Sequence, residues 1–394
     1  MKNIYQSEYL KRAYYSVPLL EENRLIAELE KRSDIEALRL MRYIALSDLT
    51  RTEGHPLKAV IDLVANIPSF KQFDIIDTPE IISPDIVFDL FNFPKDHPAR
   101  SASDTYYVDE KHILRPHTSL MWKYYFETPE VKEQLEKHGL AGALSYGKIY
   151  RRDEIDWQHS NVSHQFDGLF VCKKNIKKIA QADLEEICLD VTHSLMGNNI
   201  KESFAVDTFP YTDPSIEMNI EWNGKLVEVN GAGIVHPQVL NNLGIDPELY
   251  NGWAFGFGVD RLAMLKMQIP DIRLLRSTDK RVTEQFKDIN NTYKQVSKFP
   301  PSIRDISFIV DKKLFNLNAY YETVREVVGD DYVEEVELID KYEDDDKFGK
   351  GKTSYTFRVV YRHLEQTLTN IEVNKIHENL HEVTESQYHA TVRK

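Results

Sequence analysis

The sequence has little cysteine, no long apolar run and no excess of basic charge. Two cysteines, Cys172 and Cys188, are too few for a disulfide framework or a zinc cluster. They read as small buried apolar residues. No stretch approaches the ~20 apolar residues that a membrane-spanning helix needs, so no membrane partner is expected. Positions 1–20 mix Lys2, Glu8, Lys11 and Arg12 with tyrosines. They carry neither a signal-peptide apolar segment nor a clear Arg-rich, acid-poor transit pattern, and a reducing intracellular compartment is expected. The net charge of −14, from 49 basic and 63 acidic residues, argues against a histone-like nucleic-acid coat. Internal repeats and low-complexity tracts are missing too. What remains is globular: 394 residues, 42% hydrophobic and 28% charged, enough for an ordinary core in two or three domains.

Leu25, Ile26, Leu29, Ile35, Leu38 and Met41 recur at roughly helical spacing, which predicts helix over 18–49, interrupted at Ser33-Asp34, where a second helix can be capped. Leu57, Val60, Ile61 and Val64 predict another helix after Pro56. Pro79, Pro84, Pro94 and Pro98 predict loop or extended chain. From 113 to 268 strand-like runs alternate with loops. The clearest local signal is a hairpin over 216–229 turning at Asn223-Gly224. Its expected register sets Trp222 opposite Lys225, Ile220 opposite Val227 and Met218 opposite Val229, and leaves Glu217, Asn219, Glu221 and Glu228 on a second, polar face. A polar helical linker over 284–298 precedes strand, helix, strand, strand, helix, strand at 304–310, 317–328, 333–342, 353–361, 370–385 and 388–392. That order is the split βαβ arrangement of a ferredoxin-like fold.

Five segments could carry chemistry. Tyr150-Arg151-Arg152-Asp153-Glu154 opens a loop holding Asp156, Gln158 and His159, and Ser163, Gln165 and Asp167 alternate on the strand-like run that follows. A planar guanidinium at a strand end suits a phosphate or carboxylate, although for this segment taken alone a surface ion-pair cluster is the better reading. In the Gly252–Met264 stretch, Gly256 and Gly258 remove side chains where a ligand could meet backbone. Asp260 suits a helix N-terminus, whereas Arg261 does not and points to an anionic partner. Phe209 and Tyr211, followed by Asp213-Pro214, could wall an aromatic ligand or fill a core. His117, Thr118 and Ser119 cluster small polar donors after Arg115-Pro116. Glu228 sits just ahead of Gly231 and Gly233.

In this order, Arg115-Pro116-His117-Thr118-Ser119, Tyr150-Arg151-Arg152-Asp153, His164-Gln165, Phe209-Pro210-Tyr211-Thr212-Asp213-Pro214 and Gly256-Phe257-Gly258-Val259-Asp260-Arg261 resemble the class II phenylalanyl-tRNA synthetase family. The stretches at 299–308, 338–342 and 361–365 are similar to that family's ferredoxin-fold anticodon-binding domain, in the single-chain, mitochondrial-type form. The resemblance covers most of 55–394. It implies an α+β fold: a class II antiparallel sheet flanked by helices, plus a C-terminal ferredoxin-like α/β sandwich. The implied domains are an N-terminal helical extension (1–50), the catalytic core (51–283), the linker (284–298) and the anticodon-binding domain (299–394).

The resemblance also implies ATP-dependent formation of phenylalanyl-adenylate and transfer to the 2′-hydroxyl of the terminal adenosine of tRNA(Phe), by a monomer. It implies Arg151 on the α-phosphate and Arg261 on the γ-phosphate. ATP would also meet Arg152, Asp153, Gln158, His159, Ser163, Glu228, Gly231, Gly233, Gly256 and Gly258, with Mg2+ on Glu228 and Asp213. Phenylalanine would meet His117, Thr118, Ser119, Gln165 and Asp167 at its polar groups, and Phe209, Tyr211 and Ala254 at its ring. Three positions depart from the family pattern: Ser163 and Tyr211 stand where phenylalanine is usual, and Asp167 where glutamate is usual. A catalytically impaired tRNA-binding paralogue is the alternative that Ser163 and Asp167 leave open. No editing domain is expected, so tyrosine must be rejected because its hydroxyl finds no partner. The cytoplasm is the expected compartment, with the mitochondrial matrix as the alternative. From Ser297 to Lys394 there are 14 basic and 19 acidic residues, a net −5. Contact with tRNA is therefore expected on a confined basic face that includes Lys312, Lys313, Arg358, Arg362, Arg393 or Lys394.

Overall fold

The computed structural model describes residues 4–296, 299–363 and 365–393. The chain forms two compact units. One holds residues 1–150, 162–269 and 286–292; the other holds 151–161, 270–285 and 293–394. Both are interleaved in sequence, which contiguous domain blocks do not anticipate.

In the first unit, β1 (Tyr14–Ser16) precedes α1 (Leu20–Leu29) and α2 (Ile35–Ile44). Asp34 caps α2 by accepting from the Ala37 amide at 3.0 Å, as the Ser33-Asp34 break predicts. α3 (Pro56–Val64) starts with Pro at its first position and buries Leu57, Val60, Ile61 and Val64. The proline-rich stretch and its flanks contribute β2 (Asp74–Asp77), the short pair β3 (Ile81–Ile82) and β4 (Ile113–Leu114), and between them one turn of helix, α4 (Pro84–Val87), and a 3-10 turn at Pro98–Arg100. α5 (Met121–Glu127) and α6 (Pro129–His138) follow. Gly139, at φ +75°, ends α6 and lets the chain turn into β5 (Leu140–Tyr150).

The rest of the unit is β6 (Val162–Lys173), α7 (Gln181–Met196), β7 (Glu202–Phe209), β8 (Thr212–Trp222), β9 (Lys225–Val235), α8 (Pro237–Asn242), β10 (Tyr250–Gly258) and α9 (Val259–Met267). The eight-stranded sheet runs β1-β2-β5-β6-β10-β9-β8-β7. From β5 to β7 the pairing is antiparallel, as expected; β1 and β2 add a parallel edge. Residues 4–50 are built into this unit. Arg12 donates to the carbonyls of Phe73, Ala65 and Phe70, and the Trp253 indole donates to Tyr5 Oη at 3.1 Å. One face of the sheet rests on an aromatic layer. Phe73 stacks on Phe170 and Trp253, with planes within 18–19°, and Trp253 stacks on Phe255 at 5.6 Å. Each such pair adds ~0.5–1.5 kcal/mol beyond its buried area, which stiffens the platform under the opposite face.

Asn223 and Gly224 both take positive φ, 50° and 77°, at the β8–β9 turn, the requirement of a two-residue hairpin loop. Trp222 pairs with Lys225 and Ile220 with Val227, as predicted. Beyond them the register shifts. Met218 faces Asn230, because Val229 is an extra residue in a bulge. The bulge brings Glu228 and Gly231, three apart, onto one face, which strict alternation would forbid.

The second unit contains α10 (Lys280–Thr283), β11 (Ser302–Asp311), α11 (Leu317–Val328), β12 (Val333–Tyr342), α12 (Asp345–Phe348), β13 (Lys352–Tyr361), α13 (Asn370–Tyr388) and β14 (Thr391–Arg393). Its sheet order β12-β13-β11-β14 is ferredoxin-like. α13 begins with a capping box between Thr369 and Glu372 and extends through Tyr388, so the last strand starts later than expected. The polar linker is helical only as far as Lys287, and its residues 297–298 lie outside the described residues. Cys172 and Cys188 are buried, and burial pushes both thiols up to about 12. That agrees with their reading as apolar filling. No described helix is long and apolar enough to cross a membrane.

Candidate active site

The sheet face opposite the aromatic layer is built in rows. Ser145, Asp167, Gly256, Gly231 and Glu217 lie side by side across β5, β6, β10, β9 and β8. On one side follow Gly147, Gln165 and Gly258, then Ile149 and Ser163. On the other follow Ala143, Leu169, Ala254, Gly233 and Ser215. Glycine and alanine in the centre leave a shelf of bare backbone, walled by Gln165, Asp167 and Glu217. At Gly147, Gly231, Gly233 and Gly256 the space a Cβ would take is already used, and of these row glycines only Gly258 is open. A Cβ on Gly256 would stand 2.4 Å from Gln165 Nε2 and 2.6 Å from Asp167 Oδ1, and one on Gly231 would stand 2.8 Å from the Phe209 ring.

Asp167 is fully buried and accepts from Ser119 Oγ at 2.8 Å. Around that pair, Thr118 Oγ1, Gln165 Oε1 and Ser145 Oγ are buried atoms with no hydrogen-bond partner in the structure. A folded protein rarely leaves such atoms unsatisfied; a polar ligand on the shelf would pair them. Ser145 carried no signal in the sequence, because it lies in a run of buried strand residues.

Beyond Ala254 the polar shelf gives way to an aromatic box. Phe209 and Tyr211 stack with centroids 5.5 Å apart and planes within 7°. Phe91 meets Tyr211, Trp122 and His117 edge-on, at 5.7, 4.9 and 5.6 Å. Ala254, Phe91 and Trp122 share one buried cluster, against which Tyr211 packs. Phe91 and Trp122 were missed in the sequence. Phe91 lies in the aperiodic proline-rich stretch. Trp122 offers a local clue: it is one helical turn past Ser119, its amide donating to the Ser119 carbonyl at 3.0 Å.

Arg261 is aimed by a buried polar link. His164 Nε2 accepts from the Leu49 amide at 3.2 Å, so Nδ1 carries the proton and donates to Asp260 Oδ1 at 3.0 Å. Asp260 also accepts the His164 amide at 2.5 Å. Asp260 thus sits in the first turn of α9, as its sequence position implies, but its chief partner is a histidine on β6. The next residue, Arg261, reaches across and donates to the Glu228 carbonyl at 2.6 Å, at the rim of the shelf. Arg115 is structural: it is 2% exposed and holds the carbonyls of Lys148 and Thr78 at 2.7 Å each.

Arg151, Arg152, Asp153, Gln158 and His159 lie on the 151–161 loop, which clusters with the second unit. Ile155 is buried in the ferredoxin-like core, and its carbonyl accepts from the Val336 amide at 3.0 Å. Within the loop, Asp156 accepts from the amides of Gln158 and His159 and from the His159 ring, each at 2.8 Å. Burial pushes the Asp156 carboxyl up, but these bonds outweigh it and hold the group below its usual range.

Two expectations need correction. Asp213 and Glu228 do not share a metal site. Glu228 lies opposite Asn219, six residues along β8 from Asp213, which is about 20 Å at strand spacing. The carboxylate on the same face and near Glu228 is Glu217, which pairs with Gly231. These are hard oxygen donors of the kind magnesium takes, with water completing its shell. Among the described residues no group of three or more His, Cys, Asp or Glu is arranged to hold a metal alone. Three of the basic residues expected to face tRNA on the second unit meet carboxylates instead: Lys312 on Glu343, Arg358 on Asp305 at 2.9 and 3.0 Å, and Arg362 on Glu334 at 2.7 Å. Lys394 lies outside the described residues.

A glycine-floored antiparallel sheet with an arginine at the head of the following helix is the core of a class II aminoacyl-tRNA synthetase. Residues 43–286 match the model for the class II core domain of tRNA synthetases (F), and 297–393 match the ferredoxin-fold anticodon binding domain. Phenylalanine–tRNA ligase, mitochondrial, of Mus musculus is 34% identical over 351 residues, covering 80% of this chain and 74% of that protein. Probable phenylalanine–tRNA ligase, mitochondrial, of Drosophila melanogaster is 30% identical, covering 90% and 88%. Phenylalanine–tRNA ligase, chloroplastic/mitochondrial, of Arabidopsis thaliana is 35% identical, covering 88% and 80%. The chain belongs to the phenylalanine–tRNA ligase family.

Proposed function

We propose that the chain activates phenylalanine with ATP and transfers the phenylalanyl group to the 2′-hydroxyl of the terminal adenosine of tRNA(Phe). The observation that carries this reading is the join between shelf and box: the Ser119–Asp167 pair lies beside Gly256, and Ala254 opens toward Tyr211, Phe91 and Trp122. An ammonium group suits the buried carboxylate, and a phenyl ring suits the box.

In the first step the phenylalanine carboxylate attacks the α-phosphorus and pyrophosphate leaves. In the second, the tRNA hydroxyl attacks the acyl carbon and AMP leaves. Neither step needs a covalent enzyme intermediate, so the residues work by positioning and by stabilising charge. His117, Thr118, Ser119, Gln165 and Asp167 hold the polar end of phenylalanine, while Phe209, Tyr211 and Ala254 bound its ring. Gly231, Gly233, Gly256 and Gly258 let ATP lie on the backbone, beside Ser163. Arg261 serves the γ-phosphate. Glu228, with Glu217 in place of Asp213, would hold magnesium, which supplies charge neutralisation on the phosphates when bound. The chain acts as a monomer in this reading. The relatives' names favour the mitochondrial matrix over the cytoplasm as its compartment.

Charging assays test the acceptor. A tRNA(Phe) ending in 3′-deoxyadenosine should be charged, and one ending in 2′-deoxyadenosine should not; the reverse preference contradicts the proposal. Gly256→Ala tests the shelf. The added methyl has no place beside Gln165 and Asp167, and shifting these groups by about 1 Å should cost roughly a hundredfold in kcat/KM for phenylalanine. Pyrophosphate exchange measures that loss.

A further inference from the structure

Trp122 is 1% exposed, and its indole Nε1 is a buried donor without a hydrogen-bond partner. The rings nearest it are Phe91, edge-on at 4.9 Å, and Tyr211, edge-on at 6.5 Å, and neither pairs the Trp122 N–H. Trp122 sits one helical turn past Ser119, whose hydroxyl meets Asp167. It therefore stands between the polar end of the proposed amino-acid pocket and its ring-binding wall. A buried donor left unpaired is unfavourable, and a bound molecule that brings an acceptor recovers what the fold gives up. Phenylalanine has no acceptor on its ring. Tyrosine does.

We propose that Trp122 is a specificity-determining residue, whose indole N–H accommodates a hydrogen-bond-accepting substituent on the substrate ring and so weakens rejection of tyrosine. The proposal rests on the amino-acid pocket described above. A wholly apolar wall would leave the tyrosine hydroxyl unpaired and exclude it strongly. The Trp122 N–H supplies half of the missing pairing, so the chain discriminates less sharply than an apolar box of the same shape.

The test is kcat/KM for phenylalanine and for tyrosine in pyrophosphate exchange, with wild type and Trp122→Phe. Phenylalanine keeps a flat ring against Phe91 and Tyr211 and removes only the donor and part of the indole. The phenylalanine-to-tyrosine ratio should rise about tenfold in the variant, through loss of the tyrosine reaction, which corresponds to ~1.4 kcal/mol. An unchanged ratio overturns the proposal, as does an equal loss for both substrates, which would mean that the N–H serves the carboxylate that both share. Absence of phenylalanine-dependent exchange in the wild type would instead refute the underlying functional reading. Trp122→Leu also lacks the donor but changes the packing differently: its ratio should rise as well if the N–H is the cause, and a rise in only one of the two variants would mean that packing sets the ratio and overturns the proposal.

Discussion

Replacing Arg261 by alanine is expected to slow phenylalanine-dependent pyrophosphate exchange about a thousandfold, with little change in thermal stability. Arg261 is held at the rim of the glycine shelf by its bond to the Glu228 carbonyl. It follows Asp260, which the His164 link fixes in the first turn of α9. Its charge lies against the helix dipole, an arrangement that only an anionic partner relieves. Removing one preorganised donor from a charge-stabilising site costs about 10²–10³ in rate, and here a full positive charge goes as well. Arg261→Lys should recover little, because a point charge cannot reproduce the planar fork. The Glu228 carbonyl can turn to water at the rim, so the fold should tolerate the loss. Wild-type exchange in Arg261→Ala would show that the arginine does not touch substrate.

Ala254→Trp is expected to abolish exchange with phenylalanine while leaving a folded protein. Ala254 pairs with Leu169 and Gly233 and faces the aromatic box. If the box receives a phenyl ring, an indole in its place fills space reserved for substrate, and the cost in stability stays near the ~1–3 kcal/mol of ordinary overpacking. If no such space exists, the indole must displace Leu169, Phe91 or Trp122, and unfolding should come well before any specific loss of activity. Thermal melting together with exchange separates the two cases. Wild-type activity in the variant would overturn the placement of the pocket.

Much of this was legible in the sequence, for identifiable reasons. Helix ends were readable where a side chain does the capping, as at Asp34 and at Thr369 with Glu372. The β8–β9 turn was readable because Asn223-Gly224 satisfies its backbone alone. Failures came where structure depends on distant partners. The bulge at Val229 reverses the alternation that puts Glu228 and Gly231 on opposite faces, and no local residue announces it. The metal pair Glu228 and Asp213 failed because motif order says nothing about distance along a strand. The ion pairs of Arg358 and Arg362 were not legible because Asp305 and Glu334 reach them only after folding. The shelf glycines were recognised one motif at a time, whereas their meaning lies in the register that sets Gly256 beside Gly231 and Asp167. Phe91 and Trp122 went unseen because a box of rings is assembled from segments with no common period.

The central claim is that the Asp167–Ser119 pair, the glycine shelf and the aromatic box together activate phenylalanine. Exchange of labelled pyrophosphate into ATP, run with each amino acid in turn and no tRNA, tests it most directly. Phenylalanine should drive exchange, with tyrosine the only other amino acid giving a measurable rate. No exchange with any amino acid would mean a tRNA-binding protein without catalysis, and exchange driven only by a non-aromatic amino acid would contradict the assignment of the box.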